Sequence, residues 1–172
     1  MAFGDKPFGL NEVKLVKGAT VVTLAAARVL KFSPRMLSGE LKGNDKIVSV
    51  ASMAEALEWS LEEGGIPLDA LALMTGWTAT LSGTTPTQVN TMKMVTSTAF
   101  PYFKIYGKSL GENLDDVHVK IWKAKITGNI EGSFQYGEFY VTSISGIAVY
   151  DATNTAVADV VQNETAAALP VS

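Results

Sequence analysis

The chain has 172 residues, of which 47% are apolar and 18% are charged, and its formal net charge is −3. We predict a single domain over residues 1–172, because this length is sufficient for one substantial core. The low charged fraction indicates that partners cover part of the surface. A dedicated nucleic-acid binder needs a basic face, which the negative balance disfavours. The absence of cysteine excludes disulfides, cysteine-ligated zinc and thiol catalysis.

The amino-terminal residues do not form an apolar run behind a basic start, so no signal peptide is predicted. No stretch of the sequence approaches the roughly 20 apolar residues that a membrane helix needs. We therefore expect a protein that is made in the cytoplasm and does not insert into a membrane.

The first part of the chain is predicted to form an arm and four strands. Residues 1–10 contain Phe3 and Phe8 without any periodicity and are interpreted as an amino-terminal arm. Residues 34–46 are polar and contain two glycines, so we predict a projecting loop or hairpin with its tip near Gly43. Alternating or β-branched runs predict strands over residues 11–17, 20–24, 28–32 and 47–62.

The long strand predicted over residues 47–62 has two different faces. One face is apolar and carries Leu57, Trp59 and Leu61. The other face carries carboxylates and a hydroxyl, from Glu58, Ser60 and Glu62.

One short helix is predicted over about residues 67–75. Pro67 suits a first helical position, Asp69 favours the first turn, and Gly76 suits the carboxyl-terminal cap. Apolar side chains point nearly all round this helix, whereas a helix on the surface of a monomer keeps a polar stripe. Either both sides are buried within the domain or one side faces a neighbouring subunit.

The second part of the chain is predicted to contain six more strands and a carboxyl-terminal arm. The strands are predicted over residues 77–81, 88–95, 102–110, 117–127, 138–150 and 156–162. Residues 163–172 are small and apolar and are interpreted as the arm. About ten strands and one helix predict a mainly β chain, in the form of a sandwich or half-barrel.

No group of side chains in the sequence indicates catalysis, and we predict neither an enzyme nor a bound metal or cofactor. His118 is the only histidine; it shares a strand face with Asp116, while Asp115 falls in the preceding loop. Glu62 and Glu63 are adjacent on a strand, so they point to opposite faces and form a poor acid–base pair.

Aromatic and basic residues are also given structural interpretations. Trp59, Trp77 and Trp122 each lie in an apolar strand context, which favours core packing over the stacking of sugars or bases. A mild cluster of lysines is interpreted as a solvated sheet face or as partners for acids on a neighbour. These are Lys104, Lys108, Lys120, Lys123 and Lys125.

Several short segments together resemble a known family. These are residues 9–15, 57–66, 72–76, 100–103, 116–119, 137–139 and 164–170. In their order and pattern they resemble the major tail proteins (tail tube proteins) of long-tailed, siphovirus-type bacteriophages, over roughly residues 9–170. The tubes of contractile phages and of type VI secretion share the fold, so the resemblance does not exclude them.

The resemblance implies a β-sandwich or half-open barrel with a flanking helix, and a structural role in the virion. In that family six subunits form a ring, their sheets merge, and the stacked rings make a hollow tube that delivers DNA into the host. The implied partners are further copies of the chain and other tail proteins, namely tape measure, tip and terminator. DNA passes through the tube without specific binding.

The resemblance also suggests roles for individual residues. Glu58, Ser60 and Glu62 are predicted to face the lumen, because an acidic bore repels phosphate, and the lysines are expected elsewhere. The predicted contacts between subunits are Phe3, Phe8, Leu37, Leu41, Leu71, Met74 and Leu169. The alternative function is a β-sandwich binding module, an adhesin or a carbohydrate-binding domain, which requires an exposed aromatic platform.

Overall fold

The computed structural model describes residues 6–65, 67–96, 98–112 and 115–171. Within these ranges the chain forms ten strands and one helix, which confirms the prediction of a mainly β chain. The elements are β1 (Pro7–Lys17), β2 (Thr20–Leu24), β3 (Ala27–Gly43), β4 (Lys46–Gly64), α1 (Leu68–Thr75), β5 (Ala79–Ser82), β6 (Val89–Met92), β7 (Phe103–Gly111), β8 (Asp116–Ser133), β9 (Val141–Ala148) and β10 (Ala158–Asn163). No helix in the described ranges is long and apolar enough to cross a membrane.

Strand β8 joins two halves of the main antiparallel sheet. Its first part pairs with β7 on one side and with β10 on the other. From Ala124 onward, β9 takes the place of β10 as a neighbour of β8. We call the strands β2-β1-β7-β8-β10 the first half-sheet and the strands β3-β4-β9-β8 the second half-sheet. Strands β5 and β6 form a separate two-stranded sheet.

The two half-sheets share one hydrophobic core. Trp59 of β4 meets Phe103 of β7 edge to face, with 5.7 Å between the ring centroids, although these strands are not neighbours in the sheet. Helix α1 packs into the same core through Ala70, Leu71, Leu73 and Met74. The domain itself therefore covers most of this apolar helix, while Asp69 is exposed and Leu68 and Ala72 are half-buried on the remaining side.

Asp69 and Gly76 occupy the positions predicted for them at the ends of α1, whereas Pro67, predicted as the first helical residue, lies one position before the helix. Asp69 lies in its first turn. Gly76 adopts a left-handed conformation with φ 76°, and its N–H donates to the carbonyl of Ala72. Glycine reaches this conformation without strain from a Cβ atom, so the helix ends here.

Residues 34–46 form most of a hairpin rather than a loop. Strand β3 continues to Gly43 and β4 begins at Lys46, so only Asn44 and Asp45 connect the strands. Both connecting residues have positive φ, 52° and 61°, as a two-residue hairpin turn with matching twist requires. The predicted tip is confirmed, and the predicted end of the strand near residue 32 is wrong.

Pro34 would end a central strand, because proline cannot donate to the ladder, but it does not end this one. Pro34 pairs with Leu57 on one side only, because β3 is the last strand of the second half-sheet. An edge strand tolerates proline, since one of its sides needs no partner. Residues 32–55 project beyond the rest of the sheet with every residue exposed, and we call them the projecting hairpin.

Three other boundaries differ from the prediction. The arm predicted over residues 1–10 is part of β1 from Pro7 onward, and residues 1–5 lie outside the described ranges. Strand β8 extends to Ser133, beyond the end predicted at residue 127. Strand β9 begins only at Val141, because residues 134–140 form a loop.

The close approach of β4, β8 and β9 provides a first prediction. A Cβ atom on Gly146 would lie 2.1 Å from the Lys125 carbonyl oxygen and 2.8 Å from Cζ2 of Trp59. We expect Gly146→Ala to lower the free energy of unfolding by about 1–3 kcal/mol, because the packed strands must shift. Chemical denaturation measures this change.

Gly39→Ala is the matched control for this substitution. A Cβ atom on Gly39 meets no atom within 4 Å, and its φ is not in the left-handed region. Its free energy of unfolding should stay within about 0.5 kcal/mol of the unsubstituted protein. Equal denaturation midpoints for the two variants would contradict the assigned packing.

Candidate functional site

The projecting hairpin exposes an unusual amount of apolar surface. Residues 47–54 contain no charged side chain. Eight large apolar side chains on the hairpin are exposed: Phe32, Met36, Leu37, Leu41, Ile47, Val48, Val50 and Met53. Contiguous apolar surface of this kind marks an interaction site on a soluble protein.

Neither face of the projecting hairpin is covered by the domain. Side chains of paired residues share a face. One face is uncharged over three successive pairs: Leu37 with Met53, Gly39 with Ala51, and Leu41 with Ser49. The other face combines apolar, hydroxyl and charged side chains: Met36 with Ala54, Ser38 with Ser52, and Glu40 with Val50.

The edges of the projecting hairpin are open as well. Strand β9 pairs with β4 only from Leu57 to Gly64, so residues 46–56 have no neighbour on that side within the described chain. Strand β3 is the last strand of its half-sheet and has β4 as its only paired strand in the described ranges. Unpaired strand edges are templates for pairing with another chain.

The predicted lumen residues lie together beside the base of this hairpin. Trp59 and Leu61 are buried in the core, which confirms the predicted alternation along β4. Glu58 is exposed and Ser60 and Glu62 are half-buried on the opposite face. This face belongs to the second half-sheet, and we call it the acidic face.

The neighbouring strands add residues to the acidic face that the sequence did not indicate. Ser60 pairs with Ser145, and Glu62 pairs with Ser143, which in turn pairs with Glu131 of β8. The face therefore continues across three strands as carboxylates and hydroxyls. Sequence reasoning missed Glu131, because it lies between the strands predicted over residues 117–127 and 138–150.

Two lysines lie on the acidic face. Lys31 of β3 pairs with Ser60 and shares its face, and the second is Lys125, which departs from the expected separation of basic and acidic residues. Lys125 pairs with Ile147, which pairs with Glu58, so Lys125 lies on the acidic face. Its Nζ is 5.1 Å from the ring centroid of Tyr102, and Nζ of Lys123 is 5.0 Å from the same centroid. Cation–π contact therefore holds this charge toward the aromatic ring.

The adjacent acids Glu62 and Glu63 point to opposite faces, as predicted. Glu63 is 6% exposed and accepts a hydrogen bond from the Ala26 N–H at 3.0 Å. Burial raises the pKa of Glu63, and the hydrogen bond opposes that effect. Glu63 thus fixes the turn between β2 and β3 and does not take part in the acidic face.

The predicted subunit contacts fall into three groups. Phe3 lies outside the described residues. Phe8 is 84% exposed, and Leu37 and Leu41 are exposed on the projecting hairpin. Leu71 and Met74 have a structural explanation instead, because both are buried against the domain's own core.

Leu169 also has an intramolecular partner. It is 3% exposed and packs with Val16 and Tyr106, with Trp122 against the same cluster. The carboxyl-terminal arm therefore folds over the outward face of the first half-sheet. The burial of Leu169 is therefore explained within the chain itself, whereas residues 164–168 of the arm are exposed.

A buried carboxylate anchors the start of this arm. Asp116 is fully buried and accepts hydrogen bonds from Asn163 Nδ2 and from the Ala167 N–H, both at 2.7 Å. Its Oδ2 is 3.1 Å from Nζ of Lys108 and 3.0 Å from Nε2 of His118. The single histidine thus supports a carboxylate that holds the arm.

The electrostatics of Asp116 follow from these contacts. Burial alone raises the pKa of a carboxyl group, because the charged form loses its hydration. Hydrogen bonds from Asn163, Ala167, Lys108 and His118 outweigh burial and lower the pKa of Asp116 to about 2.

The described residues contain no cluster of three or more acidic or histidine side chains that could hold a metal ion.

The tryptophans do not form a shared platform. Trp59 is buried, and Trp122 donates to Asp159 at 3.0 Å. Trp77 is half-buried and donates from Nε1 to the Val95 carbonyl at 3.1 Å. Exposed aromatic side chains occur instead in residues 134–140, which we call the aromatic loop. The loop exposes Phe134, Tyr136 and Phe139 almost completely.

No protein-family model matches the chain, and a search of curated proteins finds no match. The arguments about function therefore depend on the geometry of the projecting hairpin, the acidic face and the aromatic loop.

The Asp116 anchor gives a prediction for stability at low pH. The carboxyl group has its ordinary pKa of 3.8 when unfolded and about 2 when folded, so its stabilisation is present above pH 4 and is lost as pH falls toward 2. We expect this contribution to be about 2 kcal/mol. Urea denaturation of the protein and of Asp116→Asn at pH 7 and pH 2.5 measures it.

Between pH 7 and pH 2.5, the free energy of unfolding of Asp116→Asn should fall by about 2 kcal/mol less than that of the unsubstituted protein. Asp45→Asn, in the exposed turn of the projecting hairpin, is the control and should keep the full pH response. An Asp116→Asn variant with an unchanged response would show that this carboxylate does not hold the folded state.

Proposed function

We propose that this chain is a structural tail tube subunit of a long-tailed phage. In this proposal, copies assemble into stacked, hexameric rings that form the hollow tube for DNA delivery. The observation that carries the proposal is the projecting hairpin, with open edges, uncovered faces and apolar side chains. A monomer in water has no use for such an element, whereas a subunit in a continuous assembly covers it.

The shape of the chain supports an assembly that extends in one direction. The part of β4 beyond β9, residues 46–56, reaches about 35 Å at roughly 3.3 Å per residue. In this proposal the protrusion meets a different surface on the next copy, which makes the contact heterologous. Heterologous contacts close into rings or continue as filaments, and a tube of stacked rings combines both.

The acidic face supports a location at the bore. Glu58, Glu62 and Glu131 and the serines between them present negative charge and hydroxyls over three adjacent strands. Like charges keep DNA phosphates from binding, so DNA slides past such a wall. Two lysines reduce the negative charge of the face: Lys31 beside Ser60, and Lys125, whose ammonium also contacts Tyr102.

The alternative function is the binding module, an adhesin or a carbohydrate-binding domain. The aromatic loop favours it, because exposed aromatic rings stack on sugars. The rings of Phe134 and Tyr140 are tilted by 41° with their centroids 4.4 Å apart, so they do not form a flat platform. The projecting hairpin has no role in this alternative, and we therefore prefer the tube.

Assembly through the projecting hairpin can be tested directly. We expect the purified protein to form rings or tubes at high concentration, seen by negative-stain electron microscopy. The double variant Leu37→Asp with Leu41→Asp should remain monomeric, because it places two charges on the uncharged face. Its denaturation midpoint should be unchanged, since both side chains are exposed.

Leu81→Asp is the control for this variant, since Leu81 is equally exposed but lies in the small β5–β6 sheet. Leu81→Asp should assemble like the unsubstituted protein. A monomeric protein that binds glycans in a screen would support the binding module instead.

The role of the acidic face has a separate test on assembled tubes. We expect Glu58→Lys with Glu62→Lys to retain double-stranded DNA inside the tube at low salt and to release it at high salt. Nuclease protection of the DNA that sediments with the tubes measures retention. Glu112→Lys with Glu164→Lys makes the same charge change on other exposed residues and should protect no DNA. Equal protection by the two variants would contradict a bore lined by the acidic face.

A further inference from the structure

The hydrophobic core is open between two edge strands. Within the described ranges, β3 pairs only with β4, and β10 pairs only with β8, so no backbone pairing joins β3 to the first half-sheet. The side chain of Leu30 bridges the gap, since its Cδ2 would lie 2.5 Å from a Cβ atom on Gly107 of β7. Around this contact the two half-sheets leave a groove of about 450 Å³, which we call the core groove.

The core groove is concave and mainly aliphatic. Leu10, Leu30 and Val119 line it and pack against the core, yet each is only half-buried. The exposed side chains of Phe32 and Val160 line it as well, and Phe32 is the one aromatic residue in the described lining. A volume of this size is typical of small-molecule sites, which occur in the mouths of β-barrels. Water finds few partners in such a groove, so an apolar ligand fits it better.

The polar groups of the core groove favour an anion. Among the described residues that line it, Arg28, Lys108 and Ser109 are polar and none is acidic. Ser109 Oγ already donates to the Gly9 carbonyl at 2.6 Å, and Nζ of Lys108 is 3.1 Å from Oδ2 of Asp116. Arg28 is exposed and forms no ion pair with another described residue. Its guanidinium is therefore the available cation, and its planar fork matches a carboxylate.

We propose that the core groove binds an aliphatic carboxylate, with the hydrocarbon chain against Leu30 and Val119 and the carboxylate on Arg28. The chain covers apolar side chains that the domain leaves in contact with water. The carboxylate pairs with the guanidinium, whereas a cationic amphiphile would meet it with like charge. The inference goes beyond the proposed function and does not depend on it.

Isothermal titration calorimetry of the full-length protein tests the site, with dodecanoate below its micelle-forming concentration as the probe. We expect saturable binding, which Arg28→Gln should weaken by about tenfold or more, because a charge-assisted pair is lost. Arg35→Gln is the matched control, since Arg35 is the other arginine of the chain and lies on the projecting hairpin outside the groove. Arg35→Gln should bind dodecanoate like the unsubstituted protein.

Two further comparisons identify the groove and the head group. Val160→Glu brings a negative charge to the groove and should also weaken dodecanoate binding by about tenfold or more. Val89→Glu makes the same change at a similarly exposed valine of β6 and should have no effect. Dodecyl maltoside has the same hydrocarbon chain with a neutral head, and it should bind the unsubstituted protein by about tenfold or more less tightly than dodecanoate does.

Several outcomes would contradict the site: no binding of dodecanoate, equal affinity of Arg28→Gln and Arg35→Gln, equal affinity of Val160→Glu and Val89→Glu, or equal affinity for the two amphiphiles. If dodecanoate does not bind and Val160→Glu prevents the formation of rings or tubes, the groove is a contact between copies and the inference is wrong. A protein that binds dodecanoate as expected but never assembles would contradict the proposed function alone.

Discussion

The feature on which the rest of this structure depends is a pair of strands that leave the sheet without any neighbour. The projecting hairpin leaves backbone N–H and C=O groups unpaired along both edges and exposes apolar side chains on both faces. Water can satisfy the backbone groups, but it leaves the apolar surface unfavourably hydrated. Another chain satisfies both requirements at once, and this is why the hairpin points to assembly.

The remainder of the domain holds that hairpin in a defined direction. At the base of the hairpin, β4 pairs with β9, and β9 pairs with β8. Because β8 belongs to both half-sheets, the base is continuous with the whole main sheet. Helix α1 completes the core of the domain. The arm is fixed by Asp116, whose buried charge is stable because four donors replace its lost hydration. A rigid base gives a long protrusion a reproducible orientation, which repeated assembly requires.

Two further surfaces, the acidic face and the aromatic loop, lie along β4 and differ in their chemistry. The acidic face lies on the outward side of the second half-sheet, beside the base of the hairpin, while the aromatic loop lies at the far end of β4. Side chains alternate along a strand, so the adjacent residues Glu58 and Trp59 point to opposite faces. One strand therefore contributes both to the core and to an outer surface. The same strand also carries the hairpin, and β4 thus connects the hairpin, the acidic face and the aromatic loop.

Local patterns in the amino-acid sequence were sufficient for the two faces of β4, for α1 with its Gly76 cap, and for the tip near Gly43, because each follows from residues within a few positions of one another. The contact of Asp116 with Asn163, 47 residues away, was not predictable from local pattern. The same holds for the burial of Leu169, for the continuation of β3 through Pro34, and for the placement of Lys125 on the same sheet face as Glu58. Each of these depends on which strands become neighbours, and strand pairing is a property of the folded chain rather than of any single segment.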